Sequence, residues 1–410
     1  MRLDELKGRK VGICVSGGLD SRTVTHVLRT AGVEVLCFTA DLAQPDEEDI
    51  GRVAERMAAT GADTVIVDLR DEMAEACFAA LKAQAKYDGG YWNTTGLGRA
   101  VMVRGLIGAM RSRGCDVLSH GATGRGNDQI RIERYTNVIA PEMHVYAPWR
   151  DPQLLERFPG RREMAAYLRE QGIDADVGEA KRYSTDANLA GLSHEADDLE
   201  ELTTSSEIVE PEMGVRPQTA PEEAEHVALT FEAGECQAIN GKSMSALEVM
   251  LEANRIAGRN GVGMCNALEN RIIGTKSRGV YEAPGMELLG CALDAIYQAT
   301  LDRSSAELFR EMSQLIARQI YDGRYFDPAT TAARAAVDSL AESASATVEL
   351  GLYKGNISFR SLTQCAGSLY LPEHASMEAS DGLSPISSQG FVEVQSVEAK
   401  ALAAAGRIKT

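Results

Sequence analysis

The stretch Lys10-Val-Gly-Ile-Cys-Val15, followed at once by Ser16-Gly-Gly-Leu-Asp-Ser21, decides how the chain folds. Its apolar half reads as a buried strand, and the glycines turn that strand into a helix over about Arg22 to Thr30. Gly17 and Gly18 let backbone N–H groups come close to an anion, while the hydroxyls of Ser16 and Ser21 add donors at the positive end of the helix. A pyrophosphate group suits such a cradle. Neither G-x-x-x-x-G-K-[ST] nor G-x-G-x-x-G is present, which excludes the common P-loop and the dinucleotide fingerprint. Read alone, Ser-Gly-Gly also fits a plain tight turn.

Outward from this turn, Val33 to Thr39 predicts a strand, Glu47 to Thr60 a helix and Asp63 to Asp68 another strand. Helices follow from Asp71 to about Gln84 and from about Leu97 to Arg113. Asp116-Val-Leu-Ser-His120 then enters a second glycine-rich turn, Gly121-Ala-Thr-Gly-Arg-Gly-Asn-Asp128. Strands alternating with helices predict an α/β fold, a parallel sheet covered on both faces with ligands beyond the carboxyl ends of its strands. Thr123, Arg125, Asn127 and Asp128 make the second turn dense in donors and acceptors, fitting either a ligand site or a hydrated Asx turn. Arg131 lies about one helical turn beyond Asn127, and a carboxylate is a fitting target for it.

The 410 residues, 44% of them hydrophobic, are enough for more than one core. A net charge of −18 argues against a nucleic-acid partner, which needs a basic stripe. Eight cysteines without a C-x-x-C pair read as buried reduced thiols rather than a zinc ribbon, and no protein metal site is expected. There is no apolar signal core at Met1-Arg-Leu-Asp-Glu-Leu and no run near the roughly 18 apolar residues of a membrane span, so a soluble cytoplasmic protein without membrane partner is expected.

The pattern changes after about Arg150. A helix over Arg162 to Gln171 ends at Gly172, which places the first domain boundary there. Lys181 to Asn188 and Leu192 to Glu200 gather hydroxyls and carboxylates; from charge alone they read as an acidic solvated face. Val227 to Glu232, Glu235 to Asn240 and Ser245 to Ala257 read as strand, strand and helix. Asn266 to Arg271 and Lys276 to Glu282 fit surface ion pairing equally well. Ala283-Pro-Gly285 opens a long helix, Ala306 to Tyr321 is another, and Ala346 to Leu352 with Asn356 to Phe359 is a strand pair. Beyond Leu371, breaks precede an amphipathic helix over Val394 to Ala405 with no local sequence to cover it.

Ser16 to Ser21 resembles the SGGxDS/T loop of the PP-loop ATP pyrophosphatases. Together with Thr39 to Asp49, Tyr91-Trp-Asn-Thr-Thr95, Gly121 to Arg131, Ala147-Pro-Trp149, Tyr183-Ser-Thr-Asp186, Ser193-His-Glu195 and Glu269 through Pro284, it is similar to the argininosuccinate synthase family, in its bacterial Asn-Thr-Thr subgroup. The resemblance implies an adenine nucleotide alpha hydrolase-like domain over 1–172, an α+β synthetase domain over 173–370 and an oligomerisation tail over 371–410. It implies condensation of citrulline with aspartate through a citrulline adenylate, with ATP and Mg²⁺, in a homotetramer. A paralogue acting on another ureido compound is the alternative.

By the same resemblance Ser16, Gly17, Gly18, Leu19, Asp20, Ser21, Ala40, Gly121, Thr123, Asp128 and Asp186 meet ATP. Thr123, Asn127 and Asp128 meet aspartate. Tyr91, Thr95, Asn127, Arg131, Ser184, Ser193, Glu195, Glu269 and Tyr281 form the citrulline pocket, and Asp20, Asn127, Asp128 and Arg131 are the catalytic candidates. Where the family has Thr-Ser after the loop aspartate, this chain has Ser21-Arg22, leaving Arg22 either on the pyrophosphate or in solvent.

Overall fold

The computed structural model describes residues 1–47, 49–124, 126–174, 183–376 and 384–408; Arg125, Lys181 and Arg182 lie outside them. Residues Met1–Ala366 form one compact unit and Gly367–Thr410 a second.

In the first unit, β1 (Lys10–Cys14), α1 (Leu19–Thr30), β2 (Glu34–Asp41), α2 (Gly51–Ala58), β3 (Thr64–Asp68) and α3 (Arg70–Lys82) alternate. After them come α4 (Thr94–Ser112), β4 (Val117–His120), α5 (Asn127–Ile139) and β5 (His144–Tyr146). The five strands form one sheet in the order β3-β2-β1-β4-β5, parallel throughout. The central strand shows why both faces must be covered. Val11, Ile13 and Val15 point into a core with Val24, Val27 and Leu28 of α1 and with Met164 and Leu168 of α7 (Arg161–Glu170), a helix that follows the short α6 (Pro152–Arg157). On the other face Gly12 lies so close to α4 that a Cβ would sit 2.8 Å from the Met110 thioether.

Two antiparallel sheets follow. One, of order β11-β12-β7-β6, joins the hairpin β6 (Ser184–Asn188) and β7 (Gly191–Glu195) to β11 (Met264–Asn270) and β12 (Lys276–Glu282). The other, of order β10-β9-β8-β13-β14, contains β8 (Glu225–Glu232), β9 (Glu235–Ile239), β10 (Lys242–Ser243), β13 (Ala346–Tyr353) and β14 (Asn356–Thr363). Helices α8 (Ala246–Arg259), α9 (Pro284–Thr300), α10 (Arg303–Tyr321) and α11 (Pro328–Ala341) complete the unit. Ser245 and Glu248 form a reciprocal capping box at the start of α8. One large apolar core runs from α3 and α4 through α8 and α9 to β8 and β13.

The hairpin β6–β7 corrects the acidic solvated face expected at Leu192 to Glu200: Leu192, Ser193 and His194 are buried, and only the residues from Asp197 onward make a short acidic turn. Helix α4 begins at Thr94 rather than near Leu97, because Asn93 adopts φ +57° and its buried amide donates to the carbonyls of Ala85 and Ala317 at 3.0 and 3.1 Å. In the second unit, α13 (Ser387–Ala404), preceded by the single turn α12 (Pro372–Ala375), is longer than Val394 to Ala405 and exposes Phe391, Val394 and Val397. No helix among the described residues is long and apolar enough to cross a membrane.

Candidate active site

In the order β3-β2-β1-β4-β5 the chain leaves β1 on one side and returns on the other, so the β1–β4 crevice is the topological switch point at which open α/β sheets bind ligands. A cavity of about 380 Å³ opens there. Its walls include Ser16, Asp20 and Ser21 from the first glycine turn, Thr39 and Ala40 from β2, and His120 and Gly121 from the end of β4. Arg99, Asp128 and Asp186 close it from α4, α5 and β6.

The two glycines of the loop have different reasons to be there. Gly17 has φ +74°, and a Cβ on it would stand 2.6 Å from Arg56 Nε, so conformation and packing both demand glycine. Gly18 has φ −75°, and its virtual Cβ meets only Ser16 Oγ, at 3.6 Å. The loop closes on itself through Ser16 N–H donating to Ser21 Oγ at 3.1 Å. Arg56 braces it from outside, paired with Glu47 and donating to the Ser16 carbonyl at 3.4 Å. Leu19 turns its side chain into the core, leaving only its backbone to the cradle. Burial raises the Asp20 carboxyl above its usual range. Arg22 takes neither expected placement: it donates to the carbonyl of Asp174, beyond the end of α7.

At the start of α5 a charge network takes over. Arg99 Nε donates to Asp128 Oδ2 at 2.9 Å and Arg99 Nη2 to Asp186 Oδ1 at 2.8 Å, while Arg131 Nη1 donates to Asp128 Oδ1 at 3.0 Å. Burial would raise the Asp128 carboxyl, but the two guanidinium groups outweigh it and hold it below the usual carboxylate range. Arg131 is itself buried, donates through Nε to the Tyr321 carbonyl at 2.8 Å and lies 4.9 Å over the Tyr321 ring. Asn127 is held at both ends of its amide, donating to Tyr321 Oη at 2.9 Å and accepting from Ile272 N–H at 3.1 Å.

Strand register assembles the remaining candidates. Cys265, Tyr281, Ser193 and Asp186 form one row across β11-β12-β7-β6, and Ala267, Gly279, Glu195 and Ser184 form the next row on the same face. Glu269, two residues further along β11, shares that face. Gly279 makes room for the Tyr281 ring, since a Cβ there would overlap it. Tyr281 donates to the Glu269 carboxylate and stacks on Tyr91 at 3.9 Å; Tyr91 Oη in turn accepts from Thr95 N–H at 3.0 Å. Burial, reinforced by Glu269 and Asp128, pushes the Glu195 carboxyl up to about 7, and burial raises Glu269 as well. Asp186 Oδ2, Thr95 Oγ1 and His120 Nε2 are buried without a hydrogen-bond partner among the described residues.

The first glycine loop, the second turn and one sheet face thus border one cavity, with Arg99 pairing the last two. Thr123 is exposed on its loop, away from the cavity wall. Sequence reasoning missed Arg99, Arg56, His120 and Tyr321. Arg99 alone had a signal: it lies four residues after Thr95, on one face of α4, but a helix begun at Leu97 separates the two.

A parallel sheet with a glycine loop at its switch point, closed by a polar antiparallel sheet, is an α/β ligand-binding architecture. Residues 10–174 match the family model for the arginosuccinate synthase N-terminal HUP domain, and residues 183–402 match that for the arginosuccinate synthase C-terminal domain. The chain belongs to the argininosuccinate synthase family. Among solved structures, the NAD+ synthetase from Burkholderia pseudomallei is similar at 17% identity, covering 42% of this chain and 64% of that one, with a TM-score of 0.25.

Proposed function

We propose that the protein condenses citrulline with aspartate at the expense of ATP, through a citrulline adenylate, releasing AMP and pyrophosphate. The observation that carries this reading is the bridge from Arg99 to Asp128 and Asp186, which joins the phosphate loop's cavity to the sheet face bearing Ser193, Glu195, Glu269 and Tyr281. A ureido carbon is a poor electrophile. Its oxygen attacks the α-phosphorus of ATP and the bond to the β-phosphate oxygen breaks, so pyrophosphate leaves; the aspartate amine then attacks the activated carbon and AMP departs.

In this assignment the loop Ser16 to Ser21, with Ala40, Gly121 and Asp186, holds ATP. Asn127 and Asp128, with Thr123 from the exposed loop, receive aspartate; Tyr91, Thr95, Arg131, Ser184, Ser193, Glu195, Glu269 and Tyr281 surround citrulline. Gly18 supports the loop's role, because the protein leaves open the space that a Cβ would fill and a phosphate needs. Mg²⁺ would arrive on the nucleotide and neutralise the departing pyrophosphate. Among the described residues no three His, Cys, Asp or Glu side chains cluster to hold a metal by themselves. The chain's own contribution is orientation and charge placement.

Residues 1–172 serve as the nucleotide domain, 173–370 as the synthetase domain and 371–410 as a tail that clasps a cytoplasmic homotetramer, a role supported by the exposed Phe391, Val394 and Val397 of α13. Pyrophosphate release is the decisive assay. It should require citrulline, with aspartate needed only for continued turnover; release with a different ureido compound but not with citrulline would move the reaction to a paralogous pathway, and none at all would refute the ligase. Truncation before Gly390 should dissociate the tetramer in light scattering.

A further inference from the structure

One buried donor in the cavity wall has its orientation fixed by the backbone and nothing to meet. His120 ends β4, in register with Cys14 of β1 and two residues short of the level of Ser16. The ring is 1% exposed. The N–H of Ala122 donates to its Nδ1 at 3.2 Å. An amide N–H offers no lone pair, so Nδ1 must be the acceptor, and the neutral imidazole carries its proton on Nε2. Burial and the nearby charge of Arg150 push the ring's pKa down to about 4, which keeps it neutral in ordinary conditions. Nε2–H is therefore a buried donor without a partner among the described residues, on a residue that lines the cavity. Leaving such a group unpaired is unfavourable, and an acceptor on a ligand would recover that loss.

We propose that His120 binds the nucleotide, its Nε2–H donating to an oxygen of the phosphate chain in the β1–β4 crevice. This rests on the nucleotide assignment of the cavity. Position favours phosphate over base or ribose: His120 is level with the strand residue that leads into the Ser16 to Ser21 loop, and the Gly121 that follows packs with its virtual Cβ 3.6 Å from Asp20 Cβ. Chemistry favours a neutral donor at this point. The cavity also holds Asp20, Asp128 and Asp186, and a cation there would be drawn to those carboxylates, as Arg99 is; an imidazole N–H is not.

Two substitutions separate the ring's nitrogens. His120→Asn keeps an acceptor near Nδ1 for the Ala122 N–H and leaves nothing at Nε2, whereas His120→Gln carries an amide N–H out to the Nε2 position. Competition against a fluorescent ATP analogue, read for ATP, AMP and adenosine with melting curves on the same full-length samples, should show ATP and AMP weakened about tenfold in the Asn variant. The Gln variant should stay close to wild type, and adenosine should be unaffected in both. Equal affinities in wild type and His120→Asn would overturn the inference, as would a loss in Gln as large as in Asn, or an adenosine penalty matching that for ATP. Wild-type protein that does not bind the analogue at all would overturn the nucleotide site itself, and this role with it.

Discussion

The carboxyl edge of the parallel sheet and the face of the β11-β12-β7-β6 sheet build the two halves of the site by different means. At the edge, backbone does the work: glycines, a helix start and a self-closing loop leave open the space that the proposed phosphate cradle requires, and Leu19 can even turn its side chain away. On the sheet face, side chains do it, with Asp186, Ser193, Glu195, Glu269 and Tyr281 brought onto one surface by alternation and register. A backbone site tolerates changes of side chain and is destroyed by added bulk. A side-chain site fails one group at a time, and each buried charge in it depends on its neighbours.

The largest effect is expected where the halves meet. Asp128→Asn removes the anion between Arg99 and Arg131, so synthesis should fall by at least about a hundredfold. Unlike a surface carboxylate, this one leaves the buried Arg131 and the half-buried Arg99 guanidinium groups each short of a partner, and stability should fall by about 3 kcal/mol. Because the folded pKa of Asp128 is depressed, its stabilising share is present above the unfolded value of 3.8 and is lost as pH falls through the lower folded value. Acid melting curves of wild type and variant should therefore converge only as pH falls below that folded value. Normal turnover in Asp128→Asn would remove the residue from the site.

Gly17 and Gly18 test the backbone half directly. Gly17→Ala forces an alanine to φ +74° against Arg56, and should cost upwards of about 1 kcal/mol in stability before any ligand is considered. Gly18→Ala meets no protein atom closer than 3.6 Å, so its melting temperature should hold while ATP affinity drops. Calorimetric titration with ATP beside a melting curve distinguishes them. If Gly18→Ala binds ATP as wild type does, the open space beside the loop is not where phosphate sits.

The same contrast explains what could be read in advance. The strand, loop and helix from Lys10 to Thr30 were legible because backbone geometry demands glycine at Gly17 and apolar residues in a strand buried on both faces. The four-stranded sheet was not. Strand β11, Met-Cys-Asn-Ala-Leu-Glu-Asn, carries polar residues on both faces, one of which borders the candidate site, and the period of two that marks a strand is lost. Glu195 and Asp186 looked like solvated charge for the same reason. Their positions came from resemblance, which supplied the residues but not Arg99, whose importance lies in a bridge between carboxylates far apart in sequence. Arg56 and Tyr321 likewise act on the site from elements that carry no motif.

The effect most particular to the sheet half concerns Glu195. Its carboxyl is pushed up to about 7 by burial, Glu269 and Asp128, from an ordinary value of 4.5. The sign is opposite to that of Asp128: the folded protein holds the proton more tightly than the unfolded chain, so ionising Glu195 costs stability. The ligand-free protein should lose up to about 3 kcal/mol as pH rises from 4.5 to 7 and then level off, and Glu195→Gln should remove that slope. An α-ammonium placed beside Glu195 would reverse the balance by favouring the carboxylate, so citrulline binding at pH 6 should expel a proton. Titration calorimetry in two buffers of different ionisation enthalpy reads that proton. It should be present in wild type, absent in Glu195→Gln, and fade as the pH passes above about 7. If the proton count is the same in both proteins, Glu195 does not face the ammonium, and the sheet face binds citrulline through Glu269 or by another route.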